Sequence, residues 1–205
     1  PLIAFGLIGS ALCQYGYYTS IQYSNAAFAT VLSYMAPVMI LVYTVVKERR
    51  APRGYELAAV LLVALGAFSC ATQFKLGALH IAPLALIWGL LSAVAFAFYT
   101  ITPQKLIQEY SLLPIVGWGM ILGGIVLALL CRPWTVAVTV NAHLFIMLAG
   151  VIFLGTICSF CFYQTGVSIV GGLAGSILSA AEPVTSVMIS TLLLHVLFTS
   201  FDLAG

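Results

Sequence analysis

The chain alternates long apolar runs with short polar stretches, which is the pattern of a protein that crosses a membrane several times. A helix that spans a bilayer needs about 20 mainly apolar residues. Seven runs of this kind occur, and an eighth begins near residue 199. They lie at residues 2–22, 25–46, 55–72, 82–102, 112–131, 143–168 and 171–195. The pattern therefore predicts an all-α polytopic membrane protein.

Composition leads to the same class of protein. Hydrophobic residues make up 63% of the chain and charged residues 6%, whereas charged residues approach about a quarter of an ordinary soluble domain. The net charge is only +2, and no basic run is long enough for a nucleic-acid surface. Cys158 and Cys161 form a CxxC pair inside an apolar run, where helix packing is the favoured interpretation, and the histidines form no ligand set with any Cys, Asp or Glu. We expect the lipid bilayer as a partner, and no nucleic acid, metal or cofactor.

The basic residues predict how the spans are oriented. Positive side chains accumulate in cytoplasmic loops. The loop 47–54 contains four of them, and Lys105 follows between spans four and five. The loops on the other side contain only Lys75 and Arg132. The loop 47–54 is therefore predicted to lie in the cytoplasm, and the first span is predicted to run outward.

An internal repeat becomes visible when the chain is compared with itself at an offset of 146 residues. The stretch "LSYMAPV" at 32–38 then aligns without a gap with "LSAAEPV" at 178–184. The offset places span two on span seven, five crossings later. An odd number of crossings reverses the direction of the second copy, so the sequence predicts an inverted repeat.

The same offset predicts the domain organisation. Residues 1–72 would form the last three helices of the first repeat, and residues 82–205 would form the second repeat, truncated in its last helix. Two further helices are expected before residue 1, and the eighth helix is expected to end beyond residue 205. The complete bundle would then contain ten helices, in two inverted halves of five.

Two stretches of the sequence carry a resemblance to a known family. They are "YTSIQYSNAAFATVLSYMAPVMILVYTVVKERRAPRGYELAAVLLVALGAF" and "GTICSFCFYQTGVSIVGGLAGSILSAAEPVTSVMISTLLLHVLFTSFDLAG". In both, a helix that starts with small residues leads to a Pro-Val pair and then to a further helix. This pattern resembles the EamA-type members of the drug/metabolite transporter superfamily. The resemblance implies a secondary transporter of the bacterial plasma (inner) membrane, mostly an exporter of amino acids, other metabolites or drugs. It also implies a small-molecule substrate in a central cavity and alternating access between the halves.

Glu182 is the only charged side chain between Arg132 and Asp202, and it lies near the middle of span seven. Inserting an ionised acid at this depth costs about 2.5 to 3.5 kcal/mol. Its carboxyl group is therefore expected to be protonated, paired or exposed to a watery cavity. One interpretation is that Glu182 binds protons or a cationic group of the substrate. The alternative is a neutral hydrogen bond that packs two helices.

Pro37 and Pro183 are predicted to kink spans two and seven. Each proline lacks an N–H, so the carbonyl groups of Ser33 and Ser179 lose their helical donors. Freed carbonyls at a repeat interface are candidate substrate ligands, and the nearby Tyr34 is a further candidate. The alternative is that these are ordinary membrane prolines whose neighbours satisfy the backbone.

Aromatic and amide side chains supply the remaining candidates. Span four presents a helical stripe spaced by four, four and three residues, formed by Trp88, Ser92, Phe96 and Tyr99. This stripe either lines a cavity or faces lipid, and Trp88 and Tyr99 are its candidates for substrate contact. Polar groups in spans one and six also require partners or water. The candidates there are Gln14, Tyr18 and Gln164, with interfacial anchoring as the alternative for the tyrosine.

Two other classes of protein compete with a transporter. An intramembrane enzyme would need a nucleophile with a base, or a pair of carboxylates, at membrane depth. The sequence offers one acid there. A structural membrane protein would not require an inverted repeat with matched prolines. We therefore expect a transporter and not an enzyme.

Overall fold

The computed structural model describes residues 2–72, 82–136, 141–182 and 185, and these residues are almost entirely helical, with no strand among them. Backbone polar groups cannot bond to water inside lipid, so helices that satisfy their own hydrogen bonds are the expected solution for so apolar a chain. The predicted all-α membrane class is confirmed.

Seven longer helical units follow one another along the described residues, and we number them α1 to α7; the short 3-10 helix Pro133–Thr135 lies between the fifth and the sixth. Several are built from two or three consecutive segments. In chain order, α1 comprises Leu2–Ala4, the π-helical Phe5–Leu12 and Cys13–Tyr23; α2 comprises Ala26–Ser33 and Ala36–Glu48; α3 is Gly54–Thr72; α4 comprises Pro83–Ile101 and Pro103–Tyr110; α5 is Leu112–Cys131; α6 comprises Ala142–Gly150, the π-helical Val151–Cys158 and Ser159–Val170; and α7 comprises Gly172–Leu178 and the 3-10 turn Ser179–Ala181.

The helices follow the predicted spans closely. Four described helices are long and apolar enough to cross a bilayer by themselves, and they are Phe28–Glu48, Pro83–Tyr110, Leu112–Cys131 and Ala142–Val170. The main difference from the prediction concerns α4, which continues for about two turns beyond residue 102. Pro103 is tolerated there because it occupies the first turn of the added segment, where a missing N–H costs little. The rest of the predicted span seven and the eighth helix lie outside the described residues.

Two π-helical segments interrupt α1 and α6 at equivalent places. Phe5–Leu12 and Val151–Cys158 are separated by the same 146 residues that relate the two sequence repeats. In α6 two hydroxyl groups bond to carbonyls five residues back: Thr156 to the carbonyl of Val151 at 3.0 Å, and Ser159 to the carbonyl of Leu154 at 2.9 Å. The repeat signal in the sequence therefore has a counterpart in backbone geometry.

Helix α1 packs closely against α4 and α5 through small residues. A Cβ atom at Gly16 would lie 2.9 Å from the carbonyl oxygen of Trp88 in α4, and one at Gly119 in α5 would overlap the ring of Phe5. Ser20 donates a hydrogen bond to the carbonyl of Ala85 at 2.8 Å. Small residues let helix backbones approach in lipid, where no hydrophobic force drives them together.

Both α2 and α7 are irregular at the positions that the repeat makes equivalent. In α2 the helix breaks at Tyr34 and Met35, and Pro37 lies in the first turn of the following segment. In α7 the 3-10 turn Ser179–Ala181 occupies the same repeat position. The break in α2 thus lies within one turn of Pro37. Pro183 lies outside the described residues.

Candidate functional site

A cavity of about 410 Å³ lies between α2, α4 and α7. Its walls come from the last turns of α2, the junction between the two segments of α4, and the first turn of α7. The lining residues are Ile40, Tyr43, Thr44, Lys47, Glu48, Ile101, Thr102, Gln104, Lys105, Gly172 and Leu173. We call the end of the bundle that contains Lys47 and Lys105 the basic end. The volume falls in the range of small-molecule sites, about 300 to 1,000 Å³.

The cavity joins helices from the two predicted repeats. It is lined by the last turns of α2, from the first repeat, and by the first turn of α7, from the second. Helix α2 therefore runs toward the basic end, and α7 runs away from it. A Cβ atom at Gly172 would lie 3.9 Å from Cγ2 of Ile40 and 3.6 Å from Cγ1 of Ile101. The start of α7 is thus in van der Waals contact with both α2 and α4.

Lysine side chains dominate the charge at the mouth of the cavity. Lys47 Nζ lies 5.3 Å from the centre of the Tyr43 ring, within range of a cation–π contact. Within the described ranges, no acid lies at ion-pair distance from Lys47 or Lys105. Glu48, the acid of the lining, accepts a hydrogen bond from Arg50 Nε at 2.5 Å. The mouth therefore presents the ammonium groups of Lys47 and Lys105 without an ion pair to any acid among the described residues.

The adjoining loop is held by ionic hydrogen bonds. Arg50 binds the carboxylate of Glu56 through both terminal nitrogens, at 2.7 and 2.6 Å. The backbone N–H of Arg53 donates to the same carboxylate at 2.9 Å. Hydrogen bonds from Arg50 to Glu56, and then to Glu48, raise the pKa of Arg50 above its usual value. Because the bidentate pair fixes geometry as well as charge, the loop holds the end of α2 in a defined place.

A chain of amide hydrogen bonds runs from the cavity into the bundle. Gln104 lines the cavity, and its Nε2 donates to Oε1 of Gln164 at 2.7 Å and to the carbonyl of Thr100 at 3.0 Å. Gln164 is fully buried and donates from its own Nε2 to the carbonyl of Tyr99 at 3.0 Å. This chain couples α4 to α6, starting at the wall of the cavity.

Aromatic rings surround these amides. Tyr99 is 3% exposed and stacks on Phe5 with ring centres 5.0 Å apart. The ring centres of Phe96 and Tyr163 lie 5.7 Å apart, and the Tyr163 hydroxyl is 2.9 Å from Oγ1 of Thr100. The hydroxyl of Tyr99 and Oε1 of Gln104 are buried without a hydrogen-bond partner among the described residues. We call Tyr99, Thr100, Tyr163, Gln164 and Phe96 the aromatic–amide layer.

The structure brings some of the predicted site residues together. Tyr99 and Gln164 meet in the aromatic–amide layer. Trp88 packs edge-on against Tyr15 of α1 with ring centres 5.4 Å apart, and Ser92 donates to the carbonyl of Cys13 at 2.8 Å. The aromatic stripe of span four therefore makes contacts inside the bundle, with α1 and α6.

Other predicted residues lie apart from this layer. Tyr18 is 60% exposed and Gln14 is half-buried. Tyr34 lies at the break in α2. The hydroxyls of Ser33 and Ser179 bond within their own helices, to the carbonyls of Ala29 at 3.0 Å and Ser176 at 2.7 Å.

Glu182 follows the 3-10 turn of α7 and is exposed. Its backbone carbonyl accepts a hydrogen bond from Thr185 Oγ1 at 2.9 Å. Its carboxylate makes no hydrogen bond or ion pair with another described residue. It is not one of the residues that line the cavity at the basic end.

Sequence reasoning did not single out Gln104, Lys47 or Lys105 as site residues. The lysines were used as signals of orientation, and Gln104 was assigned to a loop after span four. The run "PQKLIQEY", 103–110, contains a signal for a helix, because its apolar and aromatic residues recur every three or four positions. A helix there places Gln104 and Lys105 at the wall of the bundle.

Comparison with known proteins defines the class of the molecule. The EamA-like transporter family matches residues 1–72 and 83–205. The uncharacterized inner membrane transporter YicL of Salmonella typhimurium (strain LT2) is 36% identical over 204 residues, which cover 100% of this chain and 68% of that protein. A protein of known crystal structure superposes with a TM-score of 0.78, covering 99% of this chain and 71% of that one at 17% identity, and this likeness shows the fold alone.

The chain belongs to the EamA-like transporter family. It is an integral membrane protein whose apolar helices form the transporter fold. The resemblance inferred from the two Pro-Val stretches is confirmed by this match.

Proposed function

We propose that the chain works as a secondary transporter that exports small metabolites, such as amino acids, or drugs across a bacterial inner membrane. Transport proceeds by alternating access between two inverted repeats, with the loop 47–54 in the cytoplasm. The observation that carries the proposal is the cavity at the basic end, because α2 of one predicted repeat and α4 and α7 of the other form it together.

Packed side chains next to the cavity support an arrangement that is open on one side. The aromatic–amide layer closes the space between α4 and α6 with stacked rings and amide hydrogen bonds. Alternating access requires a site that opens to one side while packed side chains close the other. The relative in Salmonella typhimurium is named an inner membrane transporter, which supports the same location here.

Glu182 is proposed to bind a proton, or a cationic group of the substrate, during this cycle. Acids inside membrane spans are costly and commonly serve transport or proton relay. The break in α2 and the 3-10 turn in α7 occur at equivalent repeat positions, so Glu182 directly follows an irregular turn. The carbonyl of Ser179, predicted to lose its donor to Pro183, accepts the backbone N–H of Glu182 in this tighter turn.

An enzyme is the less favoured alternative. Acid–base or nucleophilic catalysis needs convergent reactive groups. The described lining of the cavity contains no histidine, cysteine or serine, and the described residues form no group of three that could hold a metal ion. A purely structural membrane protein would have no need of a cavity of this size that spans both predicted repeats.

Blocking the cavity tests the proposal. Thr44 lines the cavity, whereas Val42 on the same helix is 55% exposed and lies outside the lining. We expect Thr44→Trp to reduce solute flux strongly in proteoliposomes, because the indole fills the mouth, and Val42→Trp to leave it near the wild-type rate. Equal flux in both variants and the wild type would show that this cavity is not part of the route.

A further inference from the structure

We propose that the cavity at the basic end recognises organic oxyanions, namely carboxylates or phosphate esters with an apolar body. Lys47 and Lys105 bind the charged group, and the floor of the cavity receives the body. This inference rests on the proposed transport function and adds the chemical class of the substrate.

The charge of the lining favours an anion. Lys47 and Lys105 have no described acidic partner, and the single carboxylate of the lining, Glu48, is already bound by Arg50. Lys47 is also held in place, since its ammonium lies over the ring of Tyr43 and it belongs to the last turn of α2, where a positive charge is stabilised. A cationic substrate would meet two like charges at the mouth.

Two of the neutral side-chain donors in the lining, those of Thr44 and Gln104, already bond within the protein. Thr44 donates its hydroxyl hydrogen to the carbonyl of Ile40 at 2.8 Å. Both N–H bonds of the Gln104 amide are used by Thr100 and Gln164. The hydroxyls of Tyr43 and Thr102 remain as neutral donors in the lining, and the two lysines are its charged donors. Charge-assisted hydrogen bonds from ammonium groups are the strong interactions available to an oxyanion there.

The floor of the cavity is apolar. Ile40 lies two helical turns below Lys47, about 10 Å along the axis, and Ile101 lies about one turn below Lys105. Gly172 lies against this floor, because a Cβ atom added to it would be in van der Waals contact with Ile101 and Ile40. Leu173 also lines the cavity. An inorganic anion would leave this space unfilled, whereas an acyl or aryl group would bury apolar surface in it.

Basic residues at a cytoplasmic helix end also serve orientation alone, and this alternative makes a different prediction. Residues that only set orientation act as fixed positive charges and do not distinguish a carboxylate from a neutral molecule of the same shape. A built anion site distinguishes them sharply, and it also gains affinity as the body of the anion grows.

The test measures binding to the purified protein in phosphatidylcholine nanodiscs by calorimetry. The probes are acetate, hexanoate and 3-phenylpropionate, each with its uncharged amide. We expect 3-phenylpropionate and hexanoate to bind more tightly than acetate, and each amide to bind about tenfold or more weakly than its acid, since a hydrogen bond to a charged group contributes about 1.5 to 3 kcal/mol.

Variants assign this preference to the two lysines. Lys47→Gln and Lys105→Gln should each weaken binding of the acid about tenfold and leave binding of the amide unchanged, and Lys47→Arg should largely retain the preference. Arg53→Gln is the matched control, because Arg53 carries the same charge in the neighbouring loop but lies outside the lining. It should leave both affinities near those of the wild type.

Several outcomes overturn the inference. They are equal binding of acid and amide, no saturable binding of any probe acid, and an equal loss with Arg53→Gln. Nanodiscs that contain phosphatidylglycerol test a lipid source of the oxyanion. If this lipid abolishes the lysine-dependent binding of 3-phenylpropionate, the cavity is a headgroup site and the substrate assignment is wrong. Binding that persists in both membranes supports a soluble anion.

Flux measurements separate this inference from the proposed function. Flux of a solute without lysine-dependent binding of acids would overturn the anion site and leave transport intact. Lysine-dependent binding without flux of any bound acid would retain the anion site and contradict the assignment of a transporter for these acids.

Discussion

At the scale of single residues, the buried amide of Gln164 links α6 to α4. Gln164 was predicted to need a partner because its amide lies in an apolar helix, and it is fully buried with bonds to Gln104 and the Tyr99 carbonyl. The identity of its partners could not be predicted, because it depends on how α4 and α6 pack. Tyr18 was a candidate for substrate contact, but its side chain is exposed. Nothing in its sequence context distinguishes an exposed tyrosine from one inside the bundle.

Replacing Gln164 by leucine should destabilise the protein. The substitution leaves the carbonyl of Tyr99 and one N–H of Gln104 without partners in a dry layer, at a cost of about 1 to 2 kcal/mol. Gln108→Leu is the control, because Gln108 is exposed on the second segment of α4. Thermal unfolding in detergent provides the measurement. Equal melting temperatures for both variants and the wild type would show that the amide chain contributes nothing to stability.

Glu182→Gln tests the proposed proton handling. Glutamine mimics the protonated carboxyl group but cannot ionise, so we expect normal expression with either loss of net export or loss of its pH dependence. If Glu182 only packs two helices, glutamine keeps the hydrogen bond and transport stays nearly unchanged. Flux measured against pH for the wild type and Glu182→Gln in the same vesicle preparation decides between the two. An unaltered profile would end the proton-handling proposal.

At the scale of elements, hydrophobic runs predicted the helices well because a bilayer fixes their length and apolarity. The sequence was less informative about irregular helical segments. The π-helical segments of α1 and α6 carry no Pro or charged residue that marks them, and the second segment of α4 lies between two predicted spans, 82–102 and 112–131. A polar run at a membrane surface is compatible with either state, and its spacing is the only local evidence for a helix.

Adjacent glycines of α5 provide a test of its contact with α1. A Cβ atom at Gly123 would lie 2.7 Å from Oγ and 2.9 Å from Cβ of Ser10, whereas one at Gly124 has no neighbour within 4 Å. Gly123→Ala should therefore destabilise the protein by about 1 to 3 kcal/mol through overpacking. Gly124→Ala should be neutral or slightly stabilising, because alanine is the better helix former. Unfolding measurements that rank the two variants in the opposite order would contradict this packing.

At the scale of the whole molecule, the sequence predicts a repeat, and the structure brings helices from both predicted halves around one cavity. The offset of 146 residues relates the two π-helical segments as well as the two Pro-Val stretches. Pattern alone could not reveal the cavity between α2, α4 and α7, because a cavity depends on distances between helices that are far apart in the chain. That the two repeats are inverted and number ten helices in total remains a prediction.

The most direct test of alternating access is a reversible bond between α2 and α7. Ile40 and Gly172 lie close together at the floor of the cavity. A Cβ atom added to Gly172 would lie 3.9 Å from Cγ2 of Ile40. The pair Ile40→Cys and Gly172→Cys, introduced without the native cysteines, is close enough for a disulfide after small adjustments. Each single cysteine variant is the control. We predict that oxidation abolishes solute flux in proteoliposomes for the pair alone and that a reductant restores it. Full flux with the disulfide demonstrably formed would contradict the account, because α2 and α7 would then not need to move apart during transport.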